Sequence, residues 1–82
     1  MKIKEPVSVS FIYDSDKNKV YPKKLFWKGR LYSVRQVGLH HVFKKGSTLF
    51  HVFSVSSESL FFRLILDTKN LSWKIEEISN GF

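Results

Sequence analysis

Apolar side chains recur at every second position along most of this chain, and that spacing admits strands and little else. Val7, Val9, Phe11 and Tyr13 alternate with Ser8, Ser10 and Ile12, and in extended chain such residues fall on opposite faces. Asp14-Ser15-Asp16-Lys17-Asn18 then supplies turn chemistry. Pro22 predicts the start of a second strand over Lys23 to Trp27, since proline is tolerated at a strand's first residue. Lys28-Gly29 reads as a two-residue hairpin loop, with glycine providing the positive φ of a type I′ turn. Its register would set Trp27 opposite Arg30, Phe26 opposite Leu31 and Leu25 opposite Tyr32. Leu25, Trp27, Tyr32 and Val34 then share the face suited to a core, and Lys24, Phe26, Leu31 and Arg35 the other.

From Gly38 to Thr48 the alternation lapses, which predicts a long loop carrying His40, His41, Lys44 and Lys45. Leu49 to Val55 is expected to pair with Leu60 to Leu66 across a four-residue turn, Ser56-Ser57-Glu58-Ser59. Asp67 to Asn70 reverses the chain again, with Asn70 as its left-handed residue. In the last strand, Leu71 to Ile78, a bulge at Glu76-Glu77 returns Ile78 to the face of Leu71, Trp73 and Ile75. No run of ten residues carries a helical stripe, and only Val37 to Val42 has room for a single turn. The expectation is an all-β fold with little or no helix. Its form is one antiparallel, twisted sheet of five or six strands, or a partly open small barrel of the SH3-like or OB-like kind.

The 82 residues predict a single domain, 1–82, with its core within 7–78. A chain of this size buries about 60 to 65% of the surface its unfolded form exposes, so one thin core must suffice. Cysteine is absent, which excludes disulfides and thiolate metal sites and leaves stability to packing, for which eight Phe, two Trp and three Tyr are available. The Val7 to Tyr13 stretch is too short and too polar for a signal peptide, and no segment nears the roughly 20 apolar residues of a membrane span. The reading is a soluble, cytoplasmic protein.

Charge is unevenly placed. Residues 1–46 hold eleven Lys and Arg against Glu5, Asp14 and Asp16, leaving +8; residues 47–82 carry −1, and the chain +7. Such asymmetry steers polyanions toward one region and equally keeps a small protein soluble. On the β-hairpin, Lys23, Lys24, Lys28, Arg30 and Arg35 cluster with Trp27 and Tyr32, and Lys44 and Lys45 are candidates to join them. That set describes a basic groove with an aromatic platform for stacking bases. The competing reading makes Trp27 and Tyr32 core residues, with Arg30 lying over the Trp27 ring and the lysines protecting an edge hairpin. Other chemistry is poorly supported. His40, His41 and His51 lack a carboxylate at ligand spacing, no nucleophile elbow occurs, and the carboxylates fall at turns or at the end of the last strand. No metal, cofactor, catalytic residue or small-molecule substrate is therefore assigned.

The segment Phe26-Trp27-Lys28-Gly29-Arg30-Leu31-Tyr32-Ser33-Val34, preceded by Pro22, is followed by Val37, Phe50-His51-Val52, Phe62-Arg63-Leu64, Asp67 and Trp73-Lys74-Ile75-Glu76-Glu77-Ile78. This pattern, spanning Val7 to Ile78, resembles a small bacterial family of all-β domains of unknown function. Members stand alone or at the tail of some Y-family-polymerase-like DNA-damage-tolerance proteins, so the resemblance implies a role beside DNA and no catalytic residues. One departure is the Trp that the family shows shortly after the position of Val37, where this chain reads Leu39-His40-His41-Val42-Phe43. Two functions follow as expectations. One is a nucleic-acid-binding module, for DNA or RNA, using Lys23, Lys24, Trp27, Lys28, Arg30, Arg35, Lys44 and Lys45. The other is a protein–protein interaction module associated with a larger DNA-maintenance protein.

Overall fold

A computed structural model describes residues 2–80. Seven strands form one antiparallel sheet: β1 (Lys2–Asp14), β2 (Lys19–Trp27), β3 (Arg30–Ser33), β4 (Gln36–Lys45), β5 (Thr48–Ser57), β6 (Leu60–Asp67) and β7 (Ser72–Asn80). Their order is β3-β2-β1-β7-β6-β5-β4, and the sheet curls into a half-barrel. No helix occurs among the described residues, so none is long and apolar enough to cross a membrane.

Two bent segments produce the curl. The first part of β1, Lys2 to Val7, pairs with β7, and its remainder, Ser8 to Asp14, pairs with β2. On the opposite side β3 pairs with β2 and β4 with β5. The two residues between β3 and β4 are tied to both neighbours, because the Val34 amide donates to the Lys23 carbonyl and the Arg35 amide to the Ser56 carbonyl. β3 and β4 are thus opposite edges of the sheet joined at one point, and beyond that point the side of Lys19 to Pro22 turned away from β1 and the side of β4 turned away from β5 have no strand partner among the described residues.

The inner face holds the core. Leu25, Tyr32, Phe53, Val55, Phe62, Leu64, Leu66, Trp73 and Ile75 are buried, with Val7, Val9, Trp27, Val34 and Ile78 packed around them. The rings interlock edge-on or tilted: Tyr32 meets Phe62 at 5.1 Å, and Phe53 meets Trp73 at 5.6 Å.

Several expectations hold as stated. Lys28 and Gly29 have φ of 51° and 74°, as a type I′ turn requires, and the register of Leu25, Phe26 and Trp27 with Tyr32, Leu31 and Arg30 is the predicted one. The shift between Arg63 and Leu64 leaves Glu76 unpaired and sets Ile78 opposite Phe62, so the bulge does return Ile78 to the core.

Others need correction. There are seven strands, not five or six, because the supposed loop from Gly38 to Thr48 is mostly β4. A register shift at Gly38 reverses its parity. Pro22 is not the first residue of its strand; it lies buried inside β2, at an irregularity between Ser10 and Phe11 of β1, where the ladder needs no amide from it. The turn between β5 and β6 has two residues, Glu58 and Ser59, with φ of 55° at Glu58. Leu71, not Asn70, takes the left-handed conformation, at φ 57°. The Asn70 side chain instead accepts from the Ser72 amide and hydroxyl, which holds the turn from outside.

Candidate nucleic-acid interface

The register divides the eight predicted site residues between two ends of the half-barrel. At one end stand the Lys28-Gly29 turn and the Glu58-Ser59 turn, joined by an ion pair of 3.2 Å from Arg30 Nη2 to Glu58 Oε2. At the other end are the turn after Asp14, the Lys45–Thr48 hairpin and the turn after Asp67, where the Thr68 hydroxyl donates to the Leu49 carbonyl at 2.7 Å.

Trp27, Lys28 and Arg30 are already occupied at the first end. Glu5 reaches the inner face because it pairs with Ile75, and its carboxylate accepts from the Trp27 indole N–H at 3.3 Å and lies 4.0 Å from Lys28 Nζ. The Trp27 ring is half-buried against Phe62 and capped by Lys28 Nζ, 4.9 Å from its centroid. The cation over Trp27 is therefore Lys28; Arg30 lies over Tyr32 instead, at 5.2 Å. Tyr32 itself is core. A ring hydrogen-bonded, capped and half-enclosed offers no open face for a base.

Lys23, Arg35, Lys44 and Lys45 flank the open seam between β2 and β4, and Lys24 sits beside them with outer-face parity. No ion pair engages these five among the described residues. The local chain explains why. From Lys17 to Ser57 there are nine cations, Lys17 and Lys19 with the seven just placed, and no Asp or Glu. Glu5 and Glu58 engage Lys28 and Arg30; at the seam's far end stand Asp67 and the turn of Asp14 and Asp16, where Asp14 Oδ1 accepts from the amides of Asp16 and Lys17.

The floor of the seam is aromatic, and sequence reasoning missed it. Its rings run Phe11–Trp73 at 5.6 Å, Trp73–Phe53 at 5.6 Å and Phe53–His40 at 4.3 Å with planes 8° apart, ending at His51, whose ring centroid is 5.0 Å from that of His40. Phe11, His40 and Tyr13 present exposed edges at this end, Phe11 with 39% of its surface open. Adjacent histidines do point to opposite faces, as expected, but His40 meets a third: its Nε2 lies 2.8 Å from His51 Nδ1, so one ring donates and the other accepts. Burial lowers both imidazoles below the ordinary 6.5; for His40 the neighbouring His51, His41 and Lys19 lower it further. The pair is neutral at pH 7. The one available signal was a pair of histidines eleven residues apart on what prove to be adjacent strands.

Among the described residues no group of three or more metal-ligating side chains occurs. Compared with protein-family models, curated proteins and solved structures, the chain matches none.

Proposed function

We propose that this chain is a non-enzymatic nucleic-acid-binding module that lays a single strand along the seam between β2 and β4. One observation carries the reading: Lys23, Arg35, Lys44 and Lys45, with no ion pair among the described residues, and Lys19 beside them border a floor of contacting aromatic rings. The lysines neutralise phosphates, and the exposed rings of Phe11, Tyr13 and His40 stack bases, each worth about 1 to 3 kcal/mol. The curl is akin to the small open barrels of the SH3-like and OB-like kind, and OB-like sheets use the same combination. The resemblance to bacterial domains at the tails of DNA-damage-tolerance proteins supports the same choice, and a cytoplasmic setting with it.

The test is oligothymidylate binding followed by fluorescence anisotropy. Four phosphate contacts give a salt slope near −2.8 on logarithmic axes, so raising salt from about 50 to 200 mM should weaken binding about fiftyfold. Joint replacement Lys19→Glu, Lys44→Glu and Lys45→Glu should abolish it, whereas Lys28→Glu with Arg30→Glu should change it less than about threefold. A salt-independent affinity, or equal losses from both sets, removes the reading. A second function, protein recognition, is favoured by the bare edge of β4.

A further inference from the structure

We infer that β4 accepts an extended, acidic segment of a partner protein as an eighth strand, with one apolar side chain of that segment seated in a slot above Gly38. This deepens the protein-recognition reading and rests on it; because the added strand would lie along the seam and meet Lys44 and Lys45, it would exclude a nucleic acid bound there at the same time. Three features of the edge specify the occupant.

The first is unpaired backbone. Among the described residues β4 is bonded along β5 alone, so its other side presents amides and carbonyls that only another extended chain can satisfy in series. The opposite edge is blunted in the usual ways, by the four-residue length of β3 and by Pro22 on the stretch of β2 that β3 leaves uncovered. On β4 the bulge lies at Gly38 and the lysines at 44 and 45, leaving Leu39 to Phe43 regular, uncharged and exposed.

The second is the slot. Because Gly38 has no side chain, a hollow of about 210 Å³ opens on the outer face between Gln36 and Leu39, floored by Ser54 and Ser56 and walled by Phe61. Phe61 and Leu39 are exposed apolar residues that no element covers among the described residues. A strand added at the edge places alternate side chains over this face, and the hollow accommodates one of leucine or phenylalanine size.

The third is charge. Arg35 precedes β4, Lys44 and Lys45 end it, and no carboxylate lies on β4 or β5. A second copy, itself carrying +7, would bring like charges to this edge. A partner strand running antiparallel, with acidic residues at its N-terminal end, meets Lys44 and Lys45 with opposite charge.

The probe is an end-blocked peptide, Glu-Glu-Thr-Val-Thr-Val-Phe-Thr-Val, titrated to about 1 mM into the isotope-labelled protein and followed by amide shifts. Saturable shifts confined to β4 and to Ser54, Ser56 and Phe61 are expected. Gly38→Leu should weaken binding at least about tenfold. An added Cβ there meets only the Ser54 carbonyl at 3.5 Å, ordinary contact, and an amide spectrum unchanged outside β4 checks that the variant folds. The same variant should leave oligothymidylate binding intact, because the slot and the ring floor are on opposite faces. Replacing the two glutamates of the peptide by lysine should also weaken binding. No shifts at about 1 mM, shifts elsewhere, or full binding by Gly38→Leu would overturn the inference. Self-association of the protein alone through β4, seen by sedimentation, would assign the edge to a second copy and overturn it too.

Discussion

Glu5 decides what Trp27 can do. Its carboxylate accepts the indole N–H and lies beside Lys28, which keeps the ring in the wall of the half-barrel. The His40–His51 pair has a different residue-level consequence. Both imidazoles are lowered, chiefly by burial, so below about pH 6.5 the unfolded chain takes up protons that the folded one resists. Stability is therefore full above that pH and falls as pH drops toward the lowered values. Thermal melts between pH 8 and 5 should show the decline, and His51→Asn should flatten it. Two backbone substitutions should act in opposite directions. Gly29 has φ 74° with nothing within 4 Å of an added Cβ, so Gly29→Ala should cost about 1 kcal/mol through conformation alone. Leu71 holds φ 57° with 63% of its surface exposed; Leu71→Gly should stabilise by about 0.5 to 1 kcal/mol. Urea denaturation, with unchanged slope, reads both.

At the level of the element, the β2–β3 hairpin was legible because a single glycine fixed its turn and the turn fixed every cross-strand pair. β4 was not. Its bulge at Gly38 turns Val37, His40 and Val42 inward and Leu39, His41 and Phe43 outward, so each face carries both apolar residues and a histidine. A reader of alternation sees disorder in what is a shifted register. Leu71 misled for a related reason: the left-handed position was assigned to Asn70 by propensity, but the Asn70 side chain serves the turn through its carbonyl oxygen. The basic residues of the candidate interface were legible as a set, yet Lys28 and Arg30 were grouped with Lys44 and Lys45 by sequence, whereas Glu5 and Glu58 claim the first two. No periodicity announces which carboxylate from the far side of a sheet will reach a cation. Phe53, stacked on His40 and tilted against Trp73, is the residue that joins core to seam. Phe53→Ala should cost about 3 to 5 kcal/mol, enough to unfold much of a domain this small, and circular dichroism should show it before any binding assay does.

For the whole molecule, the curl depends on strands that are distant in sequence. β1 and β7 are neighbours in the middle of the sheet, with Val7 opposite Trp73 and Glu5 opposite Ile75. Shear between the two halves is resisted there and at the Val34–Arg35 crossing, while no ladder joins β2 to β4 across the seam among the described residues. A ligand that binds on both sides of the seam should slow amide exchange in Lys19 to Lys23 and in Gln36 to Lys45, and leave β6 and β7 unchanged. The pairing of β1 with β7 bears also on how the chain is made. During translation β1, β2 and β3 leave the ribosome first, but the strand that completes the sheet beside β1 is the last to emerge. Until it does, Leu25 and Tyr32 wait with their apolar side uncovered, and a nascent chain stalled before Ser72 is the form of this protein most in need of a chaperone.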